Sequence, residues 1–486
     1  MANTNKQKVV IIGGGITGLT AAYYLQKEAR DEDLPLEVTL IEAAPCLGGK
    51  VQTVLKDGFV IEKGPDSFLE RKTSAARLAK EVGMEDQLVN NTAGKSYVLA
   101  REKLHPMPGG SIMGIPTEIG PFITTGLFSP IGKLRAAADF ILPRSKEEGD
   151  QALGGFFRRR MGNEVVENLI EPLLSGIYAG DIDQLSLMST FPQFYQVERK
   201  YRSLIVGMKL GTPPRPKQKN IETGKSSKKG MFLTFKNGLY SFIQAIESSL
   251  EEGTVYKNIK VNKVVKDNKV YRLLLNNNEC MTADAVIVTV PHQKAQSMFS
   301  DYPFMNIFKD MSSTSVANVA IAFDESAIEK DIDGTGFVVS RNSDYSITAC
   351  TWTHKKWPHT TPKGKALLRC YVGRPGNETI VDLPDEEIIK IVLEDLSKTM
   401  NITHTPDFSV VSRWKDSMPQ YTVGHKERID AVNDAVKSNL PGVFLSGASF
   451  NGLGLPDCID QGEVAVQNVL QFLEDKRARQ IEVVQV

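Results

Sequence analysis

Residues 8–18 read KVVIIGGGITG, and the order of elements around them decides the fold. The β-branched run Val9 to Ile12 predicts a buried parallel strand. It passes directly into Gly13-x-Gly15-x-x-Gly18, and TGLTAAYYLQKEAR then predicts a helix. A second strand, LEVTLIE, ends on Glu42. Strand, glycine turn, helix and strand-end acid together form a dinucleotide-binding pattern. Gly13, Gly14, Gly15, Ile16, Thr17 and Gly18 would let a ligand's pyrophosphate approach the backbone and the helix N-terminus, while Glu42 accepts from ribose hydroxyls.

A carboxylate at Glu42 repels a 2′-phosphate, which disfavours NADP and leaves NAD or FAD. Gly48-Gly49-Lys50 follows, and paired glycines let backbone pass close to a long ligand whose phosphates Lys50 could meet; an ordinary Gly-Gly turn is the alternative. KGPDSF (63–68) is a further loop ahead of a helical pattern. Near the C-terminus Ser446-Gly447-Ala448 ends a strand, and Leu455-Pro456-Asp457 opens a helix with a first-turn proline and a capping acid.

The 486 residues suffice for two or three domains, and a net charge of zero argues against general nucleic-acid binding. Five scattered cysteines, with no CxxC, fit a reducing cytoplasm and exclude the adjacent dithiol of flavin disulfide reductases. The six histidines form no metal-ligand pattern. No run reaches the length of a spanning helix. The closest, 106–132, is broken by Gly and Pro and reads as apolar loops that line a cavity, rest on a membrane surface or pack between domains. The basic segment 199–229 reads as a solvated flexible loop.

The expected fold is α/β and α+β: a Rossmann-like nucleotide domain assembled from 1–73, 230–305 and 410–486, interrupted by a mixed-sheet substrate domain (74–84, 182–229, 306–409) and a helical domain (85–181). The strands of 305–409 are assigned to an antiparallel wall. No second glycine fingerprint is evident, so a bound flavin would take electrons from an organic substrate rather than from a nicotinamide.

The glycine fingerprint, strand-end Glu42 and Gly48-Gly49-Lys50 resemble the flavin amine oxidase superfamily, although Cys46 stands where that family carries a basic residue. GPDSFLERKTSA (64–75), VENLIEPLLSGIYAGDIDQLSLMSTFPQF (166–194), TSVANVA (314–320), RWKDSMPQYTVGH (413–425) and SGASFNGLGLPDCIDQG (446–462) extend the resemblance to the protoporphyrinogen/coproporphyrinogen oxidases of the soluble Gram-positive type. That resemblance implies FAD as cofactor, and six-electron oxidation of a porphyrinogen by molecular oxygen in heme biosynthesis. Coproporphyrinogen III is the expected substrate and protoporphyrinogen IX the alternative. It also implies a cytoplasmic enzyme, with peripheral membrane contact and transient contact with other heme-synthesis enzymes as further expectations.

Residue by residue, the resemblance assigns FAD to Gly13–Gly18, Glu42, Ala43, Lys50, Gly64, Pro65, Asp66, Ser67, Val261, Trp414, Gly447, Leu455, Pro456 and Asp457. Lys72 would meet a substrate propionate, and Gly176, Ile177 and Tyr178 would line the substrate cavity. No general base is assigned. The rivals are an amine oxidase or desaturase on the same fold, and a non-catalytic prenylated-GTPase dissociation inhibitor.

Overall fold

The computed structural model describes residues 6–211, 229–329 and 332–484. Its centre is a five-stranded parallel sheet in the order Val255–Tyr256, Leu36–Ile41, Gln7–Ile12, Ala285–Val288, Val443–Leu445. A parallel sheet must be covered on both faces, and the alternation of the central strand supplies both. Val9 and Ile11 pack against the helices Ile16–Asp31, Leu239–Ser248 and Leu455–Val484. Val10 and Ile12 face the other way, toward the three-stranded antiparallel sheet of Val261–Asp267, Val270–Leu275 and Cys280–Ala283 and the helix His425–Asn439.

A seven-stranded sheet forms the second layer, in the order Phe408–Pro419, Ser313–Asp324, Lys365–Val372, Ile347–Trp352, Gly336–Val339, Ser96–Ala100, Lys103–Pro106. The helix Asp385–Met400 covers one face with Ile388, Val392 and Leu396. The strands of 305–409 pair antiparallel with one another as expected, and the parallel pairing of Gly336–Val339 is with Ser96–Ala100, outside that segment. Two boundaries differ. Phe408–Pro419 belongs to this sheet although it opens the 410–486 segment, and the strands Ser96–Ala100 and Lys103–Pro106 lie within the segment read as helical. Pairing partners distant in sequence override local pattern in both cases, Ser313–Asp324 for the first and Gly336–Val339 for the second.

The stretch 106–132 is not loop throughout; it holds two short strands and the helix Ile119–Thr124, and the helix Pro130–Ala137 follows at once. In the basic segment, 199–211 is largely helical (Pro192–Tyr201, Leu204–Gly211), and 212–228 lies outside the described residues. Cys350 and Cys370, distant in sequence, are cross-strand partners, both free and buried.

The helical region surrounds an apolar core that includes Phe156, Phe157, Leu169 and Phe194. Within it the Arg160 guanidinium, wholly buried, lies 2.9 Å from Asp139 and 3.5 Å from Glu198, which are equally buried. Asp139 also accepts from Ser203 Oγ and Ile205 N, and so anchors the chain at 203–205. Arg160→Met would take the cation from the buried Asp139 carboxylate, while Glu198 would keep Arg159 Nη1 at 2.7 Å. We expect a loss of about 3–5 kcal/mol, measurable by urea unfolding of the holoprotein.

Candidate functional site

Five glycines build one wall of a groove at the carboxyl ends of the parallel strands, and they do so in two ways. Gly13 (φ +110°) and Gly18 close the turn: a Cβ on Gly18 would stand 1.9 Å from the Gly13 carbonyl oxygen. Gly48 (φ +99°) docks on the same turn, its N–H donating to Gly14 O at 2.8 Å. Gly15 and Gly49 serve the opposite purpose. A Cβ on Gly15 would meet nothing within 4 Å, and one on Gly49 only Gly15 Cα at 3.6 Å, so both open onto free space. The helix Ile16–Asp31 starts there with no side-chain cap and no acid in its first turn. Its N-terminal amides are therefore available to an anion.

Glu42 is held at the edge of this turn, Oε2 accepting from Gly14 N at 2.6 Å and Oε1 from Ala44 N at 2.7 Å. A carboxylate has about four lone-pair sites, so acceptor capacity remains for ribose hydroxyls. Ala43 is exposed, and Val261 is buried in the apolar layer that includes Ile41. Nearby, Asn258 N and Ile259 N donate to the carbonyls of Ala44 and Glu42, which brings the start of this strand to the acid.

At the other end of the groove the expected residues converge with several that sequence reading missed. Lys50 Nζ donates to the Ser417 carbonyl, and burial pushes its pKa down to about 8. Gly64 is a packing glycine, since a Cβ would lie 1.9 Å from Lys50 O. Trp414 Nε1 donates to Lys63 O at 2.8 Å, and Arg369 Nη2 to Gly64 O at 2.8 Å. Gly447 (φ +115°) faces Thr17, and its N–H donates to Gln461 Oε1. Pro456 O accepts from Ser74 Oγ.

Three assigned side chains find partners inside the protein. Asp66 accepts from Ser67 Oγ at 2.6 Å and Lys356 Nζ at 2.9 Å, with Arg369 at 3.5 Å. Burial alone would raise its pKa, but the cations Lys356 and Arg369 hold it well below the usual carboxylate range. Glu62, close behind, is pushed up to about 7 by burial. Lys72 forms an ion pair with Asp457, so the residue assigned to a propionate and the one assigned to the flavin edge neutralise one another. Arg369 carried a sequence signal that went unused: an arginine inside the apolar strand ALLRCYVG, here fully buried.

On the substrate side Gly176 and Ile177 are exposed, whereas Tyr178 is buried 5.6 Å from the Tyr421 ring. The turn Gly447–Gly452 is gripped by two buried histidines. His292 Nε2 donates to Met311 O, which leaves Nδ1 to accept from Ser449 Oγ at 3.2 Å. His425 Nε2 donates to Phe450 O at 2.8 Å, and its Nδ1 is buried without a partner among the described residues.

The flavin containing amine oxidoreductase family model matches residues 16–470. A coproporphyrinogen III oxidase of Bacillus subtilis is 59% identical over 96% of this chain and 99% of its own length. One of Staphylococcus aureus is 49% identical over 96% and 100%. A crystal structure of an Exiguobacterium sp. 255-15 protein provisionally termed a protoporphyrinogen oxidase superposes with a TM-score of 0.85 at 38% identity, covering 97% of this chain and 99% of that one.

Burial lowers the pKa of His425 to about 4; the Phe450 carbonyl and Asp150 oppose this, while Arg428 and His292 add to it. Because the folded value lies below the unfolded one near 6.5, the stabilisation is complete above pH ~6.5 and is lost as pH falls through about 4. Glu62, raised to about 7, contributes with the opposite sign over the same window, so the effect of His425 is read as the difference between wild type and His425→Gln: thermal unfolding should show wild type losing on the order of 3 kcal/mol more as pH falls from ~6.5 to about 4.

Proposed function

The chain belongs to the flavin containing amine oxidoreductase family and is an FAD-dependent oxidoreductase, and from that premise we propose that it oxidises coproporphyrinogen III to coproporphyrin III. The observation that carries the reading is the 59% identity to the Bacillus subtilis coproporphyrinogen III oxidase across nearly the full length of both chains. Six electrons and six protons leave the macrocycle, and three oxygen molecules become three of hydrogen peroxide. Bound FAD supplies the two-electron acceptor that each of the three rounds requires.

The positions of this chain's residues support the following roles. Gly13–Gly18 and Gly49 admit the pyrophosphate to the helix N-terminus, and Glu42 with Ala43 borders the ribose. Val261 backs the adenine end. Lys50, the loop Gly64–Ser67, Trp414, Gly447 and Leu455–Asp457 border the ring. Asp66 would act there through its charge cluster, which secures the loop, and Lys72 would offset the Asp457 charge beside the ring. Gly176, Ile177 and Tyr178 orient the tetrapyrrole, and the rate gain rests mainly on that orientation. No side chain is assigned as general base.

Lys72 is 38% exposed, so its ammonium can also reach a carboxylate at the rim. The four propionates of coproporphyrinogen III offer more such contacts than the two of protoporphyrinogen IX. The holoenzyme should therefore show the higher kcat/KM with coproporphyrinogen III and release peroxide at three per porphyrin. A preference for protoporphyrinogen IX would remove the substrate assignment. Lys72→Met should raise KM about tenfold, the worth of one charge-assisted contact, with FAD content unchanged.

A peripheral membrane contact belongs to the same reading. What supports it is a run of exposed apolar side chains: Ile119 and Ile123 on one helix, Ile131 and Leu134 on the next, and Ile141 beyond. Lys133 Nζ ties the two helices by donating to the carbonyls of Ile123 and Thr125, and Arg202 donates to Phe140 O. Apolar side chains among cations suit an anionic lipid surface. Vesicles containing phosphatidylglycerol should co-sediment the holoprotein, and Ile131→Glu/Leu134→Glu should leave it in the supernatant with unchanged turnover.

A further inference from the structure

The six residues that follow the outer strand Phe408–Pro419, Gln420 to His425, bond to two otherwise separate parts of the site. Toward the substrate side, Gln420 Nε2 donates to the Tyr178 carbonyl at 2.9 Å and to Thr314 Oγ1 at 3.0 Å. Thr314 Oγ1 donates in turn to Ala179 O. The Tyr421 carbonyl accepts from Ser186 N at 2.7 Å, and Gly424 N donates to Asp150 Oδ2 at 2.9 Å. Toward the groove, the Tyr421 hydroxyl donates to Ala448 O at 2.7 Å and accepts from Gly452 N at 2.7 Å. The ring carrying that hydroxyl stacks on His425 at 4.0 Å and 13°, while His425 Nε2 holds Phe450 O.

The turn that receives these bonds has an internal backbone hydrogen bond, Phe450 N to Gly447 O at 2.9 Å, and takes its remaining restraint from the groups around it. Gly447 and Gly452 lie at φ +115° and +124°, a region that glycine enters without steric cost. The Gln461 side chain spans its ends, accepting from Gly447 N at 3.0 Å and donating to Gly452 O at 3.2 Å, and the Tyr421 hydroxyl adds a shorter bridge from a ring that is 1% exposed, at 2.7 Å to both Ala448 O and Gly452 N. Such a bond, shielded from water, holds geometry more firmly than a surface contact.

We infer that Tyr421 is a positioning residue, whose hydroxyl fixes the turn Gly447–Gly452 and registers it against the helix end that carries Tyr178. The inference deepens the proposed function, because it is the alignment of flavin side with tetrapyrrole side that the hydroxyl sets.

Tyr421→Phe keeps the ring and removes only the two bonds. In the holoenzyme it should retain FAD at the wild-type ratio and lower Tm by a few degrees. The visible circular dichroism of the flavin and its midpoint potential, titrated with dithionite, should both move. With coproporphyrinogen III, kcat should fall at least tenfold while KM stays within twofold. Gln420→Met, which cuts the link to Tyr178 and leaves the turn bonded, should lower kcat without moving the potential. Unchanged flavin dichroism and potential in Tyr421→Phe would overturn the inference, as would activity lost only in proportion to FAD, or a variant that does not fold as holoprotein. The dichroism and potential need no tetrapyrrole, so they decide this point even if wild-type enzyme proves inactive on coproporphyrinogen III.

Discussion

Backbone meets backbone at three points along the groove, and each contact requires the absence of a side chain. Gly18 lies against the Gly13 carbonyl, Gly48 bonds to Gly14, and Gly64 crosses the Lys50 carbonyl. These crossings tie the first strand, the paired-glycine turn and the 63–67 loop into one wall. Gly15 and Gly49 then face open space because their neighbours are already packed. The glycines of a single motif thus divide into those the protein needs and those a ligand needs, a distinction that spacing does not express.

Behind the wall, charge performs the work that apolar packing performs elsewhere. Asp66, Lys356, Arg369 and Glu62 occupy a region where unpaired charge is costly. Their pairing directs Arg369 onto the Gly64 carbonyl, so the loop's position follows from electrostatics set up by two sheets at once. The arrangement joins residues 66, 356 and 369, which neither periodicity nor motif connects. The same logic recurs in the helical region, where Arg160 joins Asp139 and Glu198.

The histidines show how an environment selects a protonation state. His292 and His425 both use one ring nitrogen to donate to a carbonyl, and both are kept neutral by burial. Neither faces a carboxylate within bonding distance, which suits them to holding a turn rather than to moving protons during turnover.

Local features were legible in the chain itself. Val9 to Ile12 alternate their burial between two faces, the glycine spacing forces a tight turn, and Glu42 ends its strand, since each depends on neighbours within a few residues. Family-specific strings such as 166–194 and 446–462 added chemistry that composition does not carry. Only the tertiary structure decided that Phe408–Pro419 joins the seven-stranded sheet, that Lys72 faces Asp457, and that Tyr421 ties the turn Gly447–Gly452 to Tyr178. Those outcomes depend on pairing energies between residues tens to hundreds of positions apart, and no local pattern records which distant partner satisfies a buried hydrogen-bonding group.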